Sequence, residues 1–182
     1  RPSSLAGSRH GCHAGGAVRV CGAWDMAGGD PGGRVAMLTG AGGHFSAGAD
    51  LDRLGGALLS GKPTENEFEE RIKEDFGLIF KGFLKEYRTK KPLIAAVEGY
   101  CYAGGTEILQ ATDIRVAGKG ATIAFSEVVR GLFPMSASTI RLPGKIAWPA
   151  AMEIPLVGEP TIPNRATRHA LSAHGAPRGS TP

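Results

Sequence analysis

Two stretches of the sequence decide the fold of this 182-residue chain: VAMLTGAGGHFSAGADLDRL at positions 35–54 and PLIAAVEGYCYAGGTEILQATDIRVA at positions 92–117. Each begins with a short apolar run that is typical of a buried strand. Each then passes through glycine and alanine to a predicted helix start, where small residues let the backbone approach a ligand and leave amide N–H groups available. Two such amides directed at one oxygen would form an oxyanion hole.

The remaining segments predict an α/β fold. Apolar runs at 114–117 and 122–125 indicate two more strands, and helices are predicted at 106–111, 136–142 and 146–153. A capping box at 64–67 (TENE) precedes a stretch whose apolar residues recur at helical spacing, which predicts one long amphipathic helix that ends before Pro92. Strands separated by helices favour a sheet with parallel pairing.

The two ends of the chain differ from its middle. Residues 1–33 contain nine of the 28 glycines and show no apolar period, and residues 161–182 are rich in Arg, Ala, Gly and Pro. We therefore expect a poorly ordered head at 1–33, a core domain at 34–160 and a poorly ordered Arg/Pro-rich tail at 161–182. The net charge of +4 divides into +1, 0 and +3 over these parts. Because the core is neutral, we expect no nucleic-acid partner.

Missing motifs exclude several other classes of function. The chain has no P-loop, no complete Gly-x-Gly-x-x-Gly motif, no Gly-x-Ser-x-Gly motif and no His/Cys cluster with metal-ligand spacing. We therefore expect no metal and no cofactor. No apolar stretch approaches the roughly 20 residues of a membrane span. Three cysteines without a visible secretory signal favour a cytoplasmic protein with no membrane partner.

Three blocks of sequence carry a family resemblance. They lie at 45–51 (FSAGADL), at 99–107 (GYCYAGGTE) and within 113–134, which contains DIRVA, AFSE and GLFP. Together and in this order, they make residues 34–158 resemble the crotonase (enoyl-CoA hydratase/isomerase) superfamily. The resemblance implies a crotonase-like spiral of ββα units that is incomplete at both ends. It also implies an acyl-CoA thioester as substrate, and a homotrimer or hexamer if the fold is complete.

The resemblance also implies which residues bind the substrate. In that family two backbone amides hold the thioester oxygen of an acyl-CoA, and by motif position these belong to Ala49 and Gly104. The carbonyl of Ala47 would receive the adenine amino group of CoA, and Asp50 and Leu51 are placed with it as CoA-binding residues. Taken alone, Asp50 is also suited to cap a helix that starts at Leu51.

Two glutamates, Glu107 and Glu127, match the pair that hydratases of the family carry, including its separation in sequence. The implied reaction is syn addition of water across an α,β-unsaturated acyl-CoA. Such an addition builds negative charge on the thioester oxygen, and it needs one group to deprotonate water and another to protonate C2. We assign Glu127 as the proton donor and Glu107 as the group that orients and activates water.

Each of these residues also has a structural interpretation. Glu107 could be a first-turn acid stabilised by the helix dipole, and Glu127 could be an exposed loop acid. Asp113 is expected to end a helix and fix the next strand. His44 is expected to be a polar loop residue, and Cys101 a small buried side chain.

Two other functions fit the same resemblance. The divergent ends favour a truncated, catalytically inert crotonase-fold protein, and an enoyl-CoA isomerase would need only one carboxylate. The pair of glutamates favours hydration over isomerisation. The segment MSAS at 135–138 stands where the family usually has a glycine-rich turn. We expect its side chains to crowd the water site or to alter acyl selection.

Overall fold

The computed structural model describes residues 11–55, 63–161 and 174–176. The helices are α1 (Ala14–Gly29), α2 (Glu67–Glu74), α3 (Gly77–Gly82), α4 (Gly104–Ala111), α5 (Ser138–Arg141) and α6 (Trp148–Val157). The strands are β1 (Gly11–Cys12), β2 (Ala36–Thr39), β3 (Gly48–Ala49), β4 (Leu93–Val97), β5 (Tyr100–Tyr102), β6 (Ile114–Gly118), β7 (Thr122–Ala124) and β8 (His174–Ala176). A π-helical turn at Leu51–Gly55 and a 3-10 turn at Val128–Arg130 complete the elements.

The pairs between the described strands are all parallel, and an isolated antiparallel bridge joins Ile123 to Thr161. The larger sheet has the order β2-β4-β6-β8, and two smaller pairs join β1 to β3 and β5 to β7. The chain repeatedly places one strand in the large sheet and the next in a small pair: β2 then β3, β4 then β5, β6 then β7. With α4 following β5, this arrangement confirms the α/β class and the spiral of ββα units. Among the described residues, no helix is long and apolar enough to cross a membrane.

Three groups of buried side chains hold the elements together, and the smallest consists of Trp24, Leu84 and Leu93. The first lies between the strands, α4 and α6, and its fully buried members include Val97, Leu109, Ile123, Phe125 and Leu142. The second joins α1, α2 and α3 through Ala14, Ala17, Val18, Ile72, Ile79 and Phe83. Each fully buried large side chain contributes about 1.5–3 kcal/mol. Both of these clusters contact α4, the first through Leu109 and the second through Ile108, and α4 carries part of the candidate site.

Residues 11–29 correct the expectation of a poorly ordered head. Gly11–Cys12 pair with Gly48–Ala49, and Ala14–Gly29 form α1. Trp24 is 4% exposed, and its Nε1 donates to the carbonyl of Gly82 at 3.2 Å. The glycine-rich sequence of α1 has little helix propensity of its own, so packing against α3 stabilises it. Residues 1–10 lie outside the described residues.

The expectation of a poorly ordered tail is wrong at four residues. His174–Ala176 form β8, which pairs with β6, and Thr161 exchanges backbone hydrogen bonds with Ile123. Ladder hydrogen bonds are made by the main chain, so a strand can form without a recognisable apolar pattern. Residues 162–173 and 177–182 lie outside the described residues.

The predicted long helix is instead two short helices, α2 and α3. The first ends at Asp75, whose carboxylate accepts the N–H of Gly77 at 2.9 Å and so offers the backbone an alternative to further helix. It begins at Asn66 rather than Thr64, because Asn66 Oδ1 accepts the N–H groups of Phe68 and Glu69 at 3.1 Å each. Most of the apolar face that predicted one helix still lines one core, through Phe68, Ile72, Ile79 and Phe83, whereas Phe76 is exposed.

Candidate active site

The two glycine turns identified in the sequence pack directly against each other. The N–H groups of Phe45 and Ser46 donate to the carbonyl of Tyr100 at 3.1 and 3.2 Å, and the N–H of Tyr102 donates to the carbonyl of Ser46 at 2.8 Å. The first turn therefore follows the edge of β5, which pairs with β7 on its other side. This arrangement brings the end of the first turn to the N-terminus of α4.

Glycine is required where the turns meet. Gly48 has φ of +90°, and a Cβ added to it would lie 2.9 Å from the backbone nitrogen of Gly104. A Cβ on Gly105 would lie 2.8 Å from Cβ of Ser46. Ala103, at the N-cap of α4, has φ of +48°. Such a conformation costs a non-glycine residue on the order of 1–3 kcal/mol and is concentrated at functional sites.

The structure places the two predicted oxyanion residues at this contact. Gly104 is the first residue of α4, and Ala49 follows Gly48 in β3. The amide of Ala49 is thus one peptide bond away from the close approach of Gly48 to Gly104. Ala47, on the other side of Gly48, is half-buried.

The other two predicted CoA-binding residues begin the turn that follows. The N–H of Asp50 donates to the carbonyl of Cys12 at 3.0 Å, and its own carbonyl accepts the N–H of Leu54 at 2.7 Å. Leu51 is 46% exposed and is the first residue of the π-helical turn. Of the helix expected after Asp50, the described residues contain the π-helical turn at Leu51–Gly55.

Thr106 fixes the first turn of α4 to two strands. It is fully buried, and its hydroxyl lies 2.7 Å from the carbonyl of Cys101 in β5 and 2.9 Å from the carbonyl of Ala124 in β7. Cys101 is itself fully buried, as expected. Because Glu107 follows Thr106 in α4, these contacts also fix its position relative to β5 and β7.

Glu107 is buried and bound to a distant loop. It is 4% exposed, and its Oε1 accepts the N–H of Ser136 at 2.8 Å and that of Ser138 at 3.3 Å. Burial raises the pKa of Glu107, while the two amide donors oppose that rise because they stabilise the carboxylate. A solvent-exposed acid in the first turn of a helix would show neither the burial nor the two hydrogen bonds to the loop.

Glu127 is also buried, so the interpretation as an exposed loop acid is wrong. It is 7% exposed, and neither of its carboxylate oxygens has a hydrogen-bond partner among the described residues. Burial raises the pKa of Glu127 to about 7. Its own backbone N–H opposes this rise, and the nearby charge of Glu107 adds to it. Of the two carboxyl groups, Glu127 therefore holds a proton more readily near neutral pH.

Sequence reasoning missed the donors to Glu107 and the part that His44 plays. The segment at 135–138 contributes backbone N–H groups, which leave no residue signature, and the side chains of Ser136 and Ser138 also lie beside Glu107. That these side chains crowd the water site stays a prediction. His44 joins the two turns: its Nδ1 accepts the N–H of Tyr100 at 3.2 Å, and its ring stacks on that of Tyr100 with centroids 3.7 Å apart. Asp113 has its expected structural part, since its Oδ2 accepts the N–H of Leu93 at 2.8 Å.

Paired glycine turns on a spiral of parallel strands, with two buried glutamates beside them, define a crotonase-type protein. The family model described as Enoyl-CoA hydratase/isomerase matches residues 20–178. This chain belongs to the enoyl-CoA hydratase/isomerase family. The match extends on both sides of the 34–158 segment in which the resemblance was recognised.

Individual relatives agree with the family assignment. Enoyl-CoA hydratase EchA19 of Mycobacterium tuberculosis is 42% identical over 158 residues, which are 86% of this chain and 56% of the relative. Carnitinyl-CoA dehydratase of Escherichia coli is 38% identical over 66% of this chain and 42% of its own length. The crystal structure of an enoyl-CoA hydratase from Mycobacterium tuberculosis has a TM-score of 0.76 at 35% identity, with 93% of this chain and 62% of that chain covered. The chain thus spans about half the length of the curated relatives it matches.

Proposed function

We propose that this chain carries the active site of an enoyl-CoA hydratase-type lyase, which adds water syn across the double bond of an α,β-unsaturated acyl-CoA. The observation that supports this most is the unequal environment of two buried carboxyl groups. Glu107 receives two amide hydrogen bonds, whereas Glu127 receives none and has its pKa raised to about 7. One proton shared by such a pair provides a base and an acid at the same pH.

The amides of Ala49 and Gly104 would hold the thioester oxygen. As water attacks C3, electrons move through the conjugated system and negative charge develops on this oxygen. Donors fixed in advance by the backbone stabilise that charge without reorganising. The closely packed turns and the backbone of Ala103 at positive φ support this role, because both hold the amides in place independently of the substrate.

The two glutamates would divide the proton transfers. The Glu107 carboxylate takes a proton from water while the water oxygen bonds to C3, and neutral Glu127 gives its proton to C2 of the resulting enolate. The net result adds H and OH to the double bond, and it leaves the proton on Glu107 instead of Glu127. Glu107 then releases its proton to solvent and Glu127 takes one up, which restores the starting state.

Substrate recognition would lie in the first turn. We propose that the carbonyl of Ala47 receives the adenine amino group of CoA. Asp50 and Leu51 would contact the CoA moiety of the same substrate. Leu51 is accessible for such a contact, since it is 46% exposed. The acyl-CoA is the substrate, and the proposed chemistry needs no separate cofactor.

For the assembly, our prediction is a homotrimer or a hexamer.

The test compares hydration of crotonyl-CoA by the wild-type chain with that by Glu107→Gln and Glu127→Gln. Each variant should lose about 10²–10⁴-fold in rate, the usual contribution of a positioned acid or base. Glu86→Gln is the control, because Glu86 is an exposed carboxyl group after α3. Full activity in either site variant would contradict the two-carboxylate proposal.

Calorimetric binding of acetoacetyl-CoA separates the remaining alternatives. The proposal predicts that the wild-type chain and both site variants bind this substrate analogue, while only the wild type hydrates crotonyl-CoA. Binding without turnover by the wild type would support the catalytically inert alternative. Isomerisation of a 3-enoyl-CoA without hydration would support the isomerase alternative.

A further inference from the structure

A cavity of about 340 Å³ lies at the C-terminal end of α4, at the opposite end of that helix from the glycine turns. Neither Glu107 nor Glu127 lines it. Its charged lining residues are four cations and one carboxylate: Arg88, Arg115, Arg141, Lys145 and Asp113. The volume falls at the lower end of the range for small-molecule sites in proteins.

The single carboxylate in the lining does not balance the cations. Asp113 uses its Oδ2 to accept the N–H of Leu93 at 2.8 Å, a contact within the sheet. Lys145 has its pKa lowered to about 8, chiefly by burial and then by the positive charges of Arg115 and Arg141. The cations therefore repel one another across the cavity, and an anion between them would relieve that repulsion.

Backbone carbonyls bind three of the four cations. Arg141 donates to the carbonyls of Ser136 and Lys85, each at 3.1 Å, and also to the carbonyl of Leu84.

The other two bound cations lie near the end of α4. Lys145 Nζ donates to the carbonyl of Gln110 at 2.7 Å, and Arg115 Nη1 donates to the carbonyl of Thr112 at 2.7 Å. These bonds satisfy carbonyls at the C-terminus of α4, where cations are favoured. They leave Nε of Arg115 buried and without a hydrogen bond to any described residue.

After the excess of cations, Gln110 provides a second observation that points to a ligand. Gln110 is one of the residues that line the cavity and is 1% exposed, and neither its Nε2 nor its Oε1 makes a hydrogen bond within the described part of the chain. Buried amides without partners are rare in native proteins and call for an explanation. A primary amide can donate and accept at once, so it suits a ligand with a polar atom next to its charged group.

We propose that this cavity is a binding site for a small anion that bears a carboxylate or phosphate group, held by Arg88, Arg115 and the amide of Gln110. Guanidinium groups match the geometry of both oxyanions, and the bonds they form are charge-assisted. Positions 162–182 contain no Asp or Glu, so a side chain from that stretch cannot supply the charge. Neither glutamate lines the cavity, although Arg141 in its wall donates to the carbonyl of Ser136, whose N–H binds Glu107. Anion binding there does not require the proposed hydratase activity.

The test is calorimetric titration of the full chain with inorganic phosphate and, separately, with malate, which carries carboxylates and a hydroxyl. Sodium chloride at equal ionic strength is the solution control. At least one probe should bind saturably, and which of the two binds more tightly identifies the phosphate or carboxylate chemistry. Affinity should fall about tenfold in Arg88→Ala and in Gln110→Met, the usual effect of losing one charge-assisted or buried hydrogen bond.

The variants are chosen so that misfolding cannot imitate the result. Arg88 is exposed, and Gln110→Met replaces an unpartnered amide with an apolar side chain of similar size, so its Tm without anion should rise. Lys119→Ala, which removes an exposed cation outside the cavity, should leave the affinity unchanged. Absence of saturable binding by both probes, or equal affinity in Arg88→Ala, Gln110→Met and the wild type, would overturn the proposal.

Discussion

Glu107 and Glu127 are the same residue type in two different environments. The first is surrounded by backbone donors that favour its charged form, and the second is buried without any described donor. The proposed roles of Glu107 as base and Glu127 as acid follow from this difference in environment, since the two side chains are chemically identical. The pair was recognisable in the sequence, but the donors were not, because a backbone N–H carries no residue identity.

The raised pKa of Glu127 has a consequence for stability. In the unfolded chain a glutamate loses its proton near 4.5, whereas in the folded protein Glu127 keeps it up to about 7. Folding therefore opposes ionisation, and the wild type should lose stability as pH rises from about 4.5 through about 7. The loss amounts to roughly 3 kcal/mol at most.

Glu127→Gln should remove this dependence. Denaturant unfolding of the wild type and the variant should give a difference in free energy that shifts in favour of the variant across this pH range and then levels off. Glu86→Gln, at an exposed position, serves as the reference for a carboxyl group that is not buried. A constant difference between pH 4 and pH 8 would show that the environment of Glu127 does not oppose its charge.

At the scale of elements, the two strand-to-glycine turns could be predicted and their surroundings could not. The run LIAAV forms β4 over the predicted residues, since an apolar run bounded by Pro92 and a glycine turn has few alternatives. The long helix was predicted wrongly because helical spacing continues across Asp75, where a side-chain hydrogen bond interrupts the backbone. Helix α1 was missed because its stability comes from tertiary contacts such as that of Trp24 with Gly82.

Substitution of two glycines by alanine tests the packing of the turns. Gly105→Ala should destabilise the fold by about 1–3 kcal/mol, because the new Cβ would meet Ser46 at 2.8 Å and force the turns apart. Gly22→Ala, at an exposed position of α1 with nothing within 4 Å, should instead stabilise it by about 0.5–1 kcal/mol.

Thermal and denaturant unfolding give both values. If Gly105→Ala proves as stable as the wild type, the close approach between the turns is absent in solution. If Gly22→Ala fails to stabilise, α1 is not formed as described.

At the scale of the whole molecule, several large apolar side chains are exposed on one part of the chain. Between positions 129 and 156, five of them have 64–76% of their surface exposed: Val129, Phe133, Ile140, Trp148 and Leu156. Three of them lie on two elements that contact each other, the 3-10 turn at Val128–Arg130 and α6. Neighbouring exposed apolar side chains of this kind usually mark an interaction site. The sequence could not reveal it, because apolar residues that pack inside and those that face outward look alike in a helical pattern.

We predict that the purified chain self-associates through this surface. Sedimentation velocity should show a species larger than the monomer whose proportion rises with concentration, and Trp148→Asp or Leu156→Asp on α6 should shift it towards the monomer. Met26→Asp is the matched control, because Met26 is 64% exposed but lies on α1. A wild type that is monomeric at every concentration would contradict the prediction.

The most direct test of the proposed function is the pH dependence of kcat/KM for crotonyl-CoA hydration by the wild type and by Glu127→Gln. Glu127 must be protonated to donate to C2, so the wild-type rate should fall as pH rises above about 7. The variant should be slower by about 10²–10⁴-fold and should lack this fall. A wild-type rate that does not change between about pH 6 and about pH 8.5, or a variant with the wild-type profile, would contradict the account.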